Sequence, residues 1–240
     1  MSAIFQELDY RLTPIGPVSL RRRKLPGSDD DVFEIKLGDE FLMSSAFIAS
    51  EVALTELGLA RCAGDNLDVV VGGLGLGYTA KAALDDPRTG SLLVVEFLQP
   101  VIDWHEQGLI PLGAELCADA RCRFALNDFF AAAVSQEGFD PAEPGRRHDA
   151  ILVDIDHSPE FLLAPESAAF YRPDSLKRFA RRLNPGGVFA LWSNEKPDAG
   201  FVSVLESAFR EVEAREVTFH NPLQDSDFTQ TVYLATRADD

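Results

Sequence analysis

From Asp65 onward the chain alternates between short apolar runs and segments whose apolar residues recur at helical spacing. The runs 67–71, 92–95, 123–126, 150–153 and 188–192 are continuous enough to be strands covered on both faces. Helical spacing occupies 78–84, 100–107, 129–134 and 174–183 between them. Strand, helix, strand repeated in this way predicts an open, doubly wound, mostly parallel Rossmann-like α/β sheet with right-handed crossovers. After a helix over 201–209, the runs 212–219 and 228–235 follow with no helical stretch between them, which predicts a terminal antiparallel pair at the sheet edge.

The first 45 residues read differently. Val18-Ser19-Leu20-Arg21, Val32 to Leu37 and Phe41-Leu42-Met43 alternate or run apolar between turn clusters at 26–30 and 38–40. We expect a small antiparallel β unit over 1–45. A helix over 44–59 joins it to a nucleoside-binding α/β domain over 46–240. Apolar residues make up 46% of the 240 and charged residues 25%, an ordinary globular composition that excludes collagen, coiled coil and extended disorder as the main architecture.

Charge narrows the partners. Lys and Arg number 22 against 39 Asp and Glu, a formal charge of −17 that repels phosphate backbones and favours a small cationic substrate over nucleic acid. The one basic run, Arg21-Arg22-Arg23-Lys24, reads as a solvated strand end. No apolar stretch approaches the roughly 20 residues of a membrane span. The first residues, Met1 to Glu7, have no basic flank leading into an apolar run, so a cytoplasmic protein is expected. Cys62, Cys117 and Cys122 are odd in number and lack C-x-x-C spacing, which suggests neither a disulfide framework nor a metal site.

The candidate chemistry gathers at strand ends. Val69-Val70-Val71 runs into Gly72-Gly73-Leu74-Gly75-Leu76-Gly77, a glycine-rich turn that opens a helix where such sheets bind nucleotide-like ligands. The spacing Gly73-x-Gly75-x-Gly77 is one residue tighter than the dinucleotide fingerprint. Glu96 ends the next strand, 19 residues past Gly77, where a carboxylate can hold a ribose diol. Asn127-Asp128 ends the third strand and offers an acceptor for an exocyclic amine, or a helix N-cap. The fourth strand ends in Asp154-Ile155-Asp156-His157, two carboxylates and an imidazole at the same edge. Asp225 and Asp227 lie in the loop between the last two strands, as a lid or as ordinary turn residues.

Together with Phe170-Tyr171 and Leu183-Asn184-Pro185-Gly186-Gly187, these landmarks resemble the spermidine synthase (polyamine aminopropyltransferase) branch of the S-adenosylmethionine-dependent methyltransferase superfamily, over roughly residues 32–235. The resemblance implies that the glycine loop, with Gly73, Gly75, Leu76 and Gly77, cradles the donor. It further implies that Glu96 binds the ribose hydroxyls, Asp128 the adenine amine and Asp154 the attacking amine, with Asp156 and Glu51 as further catalytic candidates. The implied donor is S-adenosylmethionine or its decarboxylated form, without a metal, and the expected partners are a cationic amine and a second copy of the chain.

Several positions depart from the family pattern. Leu76 is aligned with the loop Asp that holds the donor ammonium, His157 with the second Asp of the D-x-x-D segment, and Trp192 with a Gln. The family's Tyr-His-Glu is Ala49-Ser50-Glu51. Two other readings therefore stay open: methyl transfer from intact S-adenosylmethionine, favoured by Leu76, and a non-catalytic nucleoside-binding relative.

Overall fold

A computed structural model describes residues 5–25, 29–221 and 226–239. Four antiparallel strands, β1 (Phe5–Thr13), β2 (Gly16–Lys24), β3 (Asp31–Leu37) and β4 (Glu40–Ser44), form a sheet in chain order. Val18, Leu20, Val32 and Ile35 are buried on it. Strand β1 escapes a hydrophobicity reading because none of its side chains is fully buried; it pairs with β2, and Asp9 accepts from Trp104 Nε1 at 2.8 Å. The basic run lies on β2 and is matched by acids on the neighbouring strands, Arg23 to Glu34 at 2.5 Å and Lys24 to Asp31 at 3.0 Å. Pro26, Gly27 and Ser28 of the expected turn lie outside the described residues.

Helix α1 (Ala49–Ala60) begins five residues later than its periodicity suggests, because Ser44 is still paired with Glu34 in the small sheet. Seven strands follow: β5 (Leu67–Gly72), β6 (Thr89–Glu96), β7 (Cys122–Leu126), β8 (His148–Val153), β9 (Leu183–Ser193), β10 (Arg210–Asn221) and β11 (Ser226–Thr236). Their order is β10-β11-β9-β8-β5-β6-β7, with β5 to β9 parallel and β10 and β11 antiparallel at one edge. The doubly wound α/β sheet and the terminal antiparallel pair are thus as the sequence predicts.

Helices α2 (Tyr78–Asp85), α3 (Gln99–Glu106), α4 (Gly113–Ala118), α5 (Phe129–Val134), α6 (Pro173–Phe179) and α7 (Ala199–Glu206) cover the faces. α6 stops short of its periodicity since Leu183 is taken into β9 opposite His148. The short α4 had no sequence signal. One face of the sheet packs on α1 to α4 and the small sheet; the other is rich in phenylalanine, with Phe170, Phe179, Phe189 and Phe209 ring against ring. Among the described residues no helix is long and apolar enough to cross a membrane. The order in which strands are added reverses beside β5, which pairs in parallel with β6 on one side and β8 on the other, so the carboxyl ends of these strands open into a crevice.

Candidate active site

The glycine loop between β5 and α2 is built by positive backbone angles, φ 91° at Gly73, 48° at Gly75 and 92° at Gly77. A Cβ on Gly73 would stand 2.4 Å from the carbonyl oxygen of Asp154, so the loop can lie against the end of β8 only with glycine there. Buried His105 donates from Nε2 to the Gly75 carbonyl at 2.9 Å. Burial lowers the His105 pKa, opposed by the Gly75 carbonyl. From below the loop is tied to β6: Glu96 accepts from the Leu74 N–H at 2.9 Å and the Leu98 N–H at 2.7 Å. Burial pushes the Glu96 carboxyl up while these backbone donors pull it back.

A cavity of about 760 Å³ runs along the carboxyl edge of the sheet, within the usual range for small-ligand sites. On the β5 and β6 side its walls are Gly73, Leu74, Gly75, Glu96, Phe97, Leu98, Asp128 and Phe130. Asp128 N-caps α5, accepting from Ala131 N–H at 3.0 Å, and also borders the cavity. On the other side stand Trp192 of β9, Asn194 just beyond it, Phe219 of β10 and Gln230 of β11, with Phe41, Met43 and Phe47 supplied by the small sheet and the approach to α1.

Between the two halves lie Glu51 and Asp154. Glu51 is 7% exposed and accepts from Ser50 Oγ at 2.7 Å. Asp154 accepts from Thr79 Oγ1 at 2.9 Å, and Thr79 belongs to the first turn of α2, directly after the glycine loop. Burial raises the pKa of Glu51, and the neighbouring Asp154 charge raises it further. Asp154 is raised by burial, against the pull of the Thr79 hydroxyl. Two carboxyls held in this way attract a cation.

Some expected residues are arranged otherwise. The Leu76 side chain is 1% exposed and packs in the core with Ala80 and Leu116, away from the cavity wall. Leu74 and Gly75 border the cavity whereas Leu76 does not. Gly77 caps α2 and likewise does not border the cavity. Asp156 does border it, but both its oxygens are engaged, by Leu163 N–H at 2.9 Å and Tyr171 O–H at 2.8 Å, so it anchors the 157–164 loop. His157 lines the cavity with Nε2 3.1 Å from Glu40 Oε1. Asp227 is exposed beside His220 and off the cavity wall, and Asp225 lies outside the described residues.

Sequence reasoning missed Thr79, His105, Phe47 and Gln230. Only Thr79 had a signal, as the hydroxyl two residues past the last loop glycine; the others reach the site from remote elements.

No protein-family model matches the sequence. Two solved structures are similar over nearly the whole chain: a spermidine synthase in complex with the transition-state analogue AdoDATO, and spermidine synthase from Thermotoga maritima. Each is 13% identical, superposes with a TM-score of 0.70, and is matched over 98% of this chain and 73% of its own. At that identity the likeness is one of architecture: the chain has the spermidine synthase fold, a methyltransferase-like sheet preceded by a small antiparallel one.

Proposed function

We propose that the chain transfers an aminopropyl group from decarboxylated S-adenosylmethionine to an amine. The observation that carries this reading is the Glu51 and Asp154 pair, set beside the glycine loop in one cavity and near no arginine or lysine of its wall except exposed Arg178. The residues lining the β5 and β6 side suit such a donor: remaining acceptor capacity of Glu96 for the ribose hydroxyls, Asp128 for the adenine amine, and apolar surface of Phe97, Leu98 and Phe130 for the base. Its sulfonium supplies an activated carbon, so the protein's work is alignment and proton removal.

Glu51 and Asp154 attract the ammonium of the acceptor, and Asp154, mounted at the end of β8, orients it toward the donor half. Asp154 takes a proton from the ammonium and frees the nitrogen lone pair, which then forms the C–N bond to the donor carbon as the electron pair of the broken C–S bond returns to sulfur, leaving methylthioadenosine and a protonated secondary amine. Thr79 holds the carboxylate in place during this transfer. The acidic net charge of the chain draws cations toward the cavity.

Methyl transfer from intact S-adenosylmethionine has one observation in its favour: Gly73, Leu74 and Gly75, the loop residues at the cavity, carry no acid. Against it, the carboxylate of the intact donor would meet the Glu51 and Asp154 charges. Calorimetry with both donors, followed by methylthioadenosine release across a panel of amines, tests the proposal. Tighter binding of the decarboxylated donor with amine-dependent release is expected. Preference for the intact donor, or no release with any amine, sinks it.

A further inference from the structure

The sheet order arranges the cavity as a line. Passing along the carboxyl edge, β6 contributes Glu96, β5 the glycine loop, and β8 Asp154; beyond Asp154 come Trp192 and Asn194 at the end of β9, Gln230 on β11 and Phe219 on β10. The donor half ends at Asp154, so the acceptor extends over β9, β11 and β10. That stretch is neutral among the described residues. Trp192 Nε1 donates to Gln230 Oε1 at 3.2 Å, and Gln230 Nε2 donates to Asn194 Oδ1 at 3.0 Å, so the indole and the two amides form one chain of hydrogen bonds. Phe219 faces Phe47 with ring centroids 6.4 Å apart, closing the end of the line with aromatic surface.

Two acids on neighbouring segments already have partners. Asp156 has both oxygens bonded, and Glu40 is paired with His157. Glu51 and Asp154 therefore offer a cationic position that is followed, along the described wall residues of β9, β11 and β10, by a slot without a carboxylate. The second ammonium of a short diamine would lie at least one strand spacing, about 5 Å, further along, against Trp192 and neutral amides. Placing it there without a carboxylate costs desolvation, whereas a ring placed there is buried on aromatic walls.

We propose that the acceptor is a monoamine with an apolar, ring-sized body and not an α,ω-diamine, with Trp192, Phe219 and Phe47 as the specificity-determining residues. This rests on the transfer reading of the same site.

The test is a titration that needs no turnover. 2-Phenylethylamine and 1,4-diaminobutane are each titrated into the full chain, with methylthioadenosine at saturation where it binds and without it where it does not. The arylalkyl amine should bind at least about tenfold more tightly. Gln230→Glu, which puts a carboxylate in the neutral wall, should raise diamine affinity about tenfold and leave the monoamine no better. Equal or tighter diamine binding by the parent overturns the inference, as does failure of both amines to bind. If the diamine wins and Asp225→Asn or Asp227→Asn abolishes its advantage, the hairpin supplies the second acid and the inference is wrong. Tighter monoamine binding with no methylthioadenosine release from the decarboxylated donor supports this inference and sinks the transfer reading alone.

Discussion

Thr79 Oγ1 lies 2.9 Å from Asp154 Oδ2, joining the first turn after the glycine loop to the end of β8. The bond ties the helix that follows the glycine loop to the carboxylate proposed to receive a proton. Asp154→Asn keeps the shape but cannot accept a proton. We expect turnover to drop by about two to four powers of ten with methylthioadenosine affinity nearly unchanged, the usual span for a positioned base. Single-turnover kinetics beside calorimetry will separate the two, and parental turnover in the variant would place the base elsewhere.

The raised carboxyls of Glu51 and Asp154 predict two opposite pH dependences. Each binds its proton in the folded chain at a pH where the unfolded chain has released it, so the native state holds more protons. Stability of the ligand-free chain from this pair is therefore greatest at low pH and falls as pH rises from the ordinary carboxylate range toward neutrality. A bound ammonium requires ionised carboxylates, so amine affinity should climb through the same window while the amine itself stays charged. In Asp154→Asn the Glu51 step should move to lower pH, because one of its causes is gone. Amine titrations from about pH 5 to about pH 8 check this, and a flat dissociation constant would remove the pair from the amine site.

Glu96 serves two masters, the backbone of the glycine loop and the donor half of the cavity. Glu96→Ala leaves the Leu74 and Leu98 N–H groups unpaired and should weaken methylthioadenosine binding by about 1.5–3 kcal/mol. Thermal unfolding should drop as well. Unchanged titration with a lowered Tm would make Glu96 a loop anchor alone.

Leu76 aligns with a donor-binding acid in sequence, yet its side chain is enclosed in the core. Leu76→Asp should therefore cost about 4 kcal/mol or more, as expected for an unpaired buried charge, without shifting preference between the two donors. Urea unfolding and paired donor titrations check this. A stable variant with selectivity turned toward the decarboxylated donor would show that the loop faces the other way.

The α/β architecture was legible because each inner strand is a continuous apolar run and glycine punctuates the turn after the first, signals that local chemistry alone produces. The strand-end acids Glu96, Asp128 and Asp154 stood out for the same reason: the carboxyl edge of such a sheet is known once the strands are known. Strand β1 was not legible, since no side chain of it is fully buried and its ties are backbone pairing to β2 and a hydrogen bond from Trp104, far along the chain.

Within the site, sequence decided which groups are available and the packing decided what each one faces. Asp154 and Asp156 are two residues apart and chemically identical, but Tyr171, 15 residues further on, and the Leu163 N–H occupy Asp156 and leave Asp154 with Thr79. The Glu51 and Asp154 pair and the neutral wall of Trp192, Asn194 and Gln230 exist only because α1, β8, β9 and β11 meet at one edge. Periodicity reports which face of an element is buried, whereas charge pairing and cavity shape depend on contacts between residues far apart in the chain, and those are set by how the elements pack.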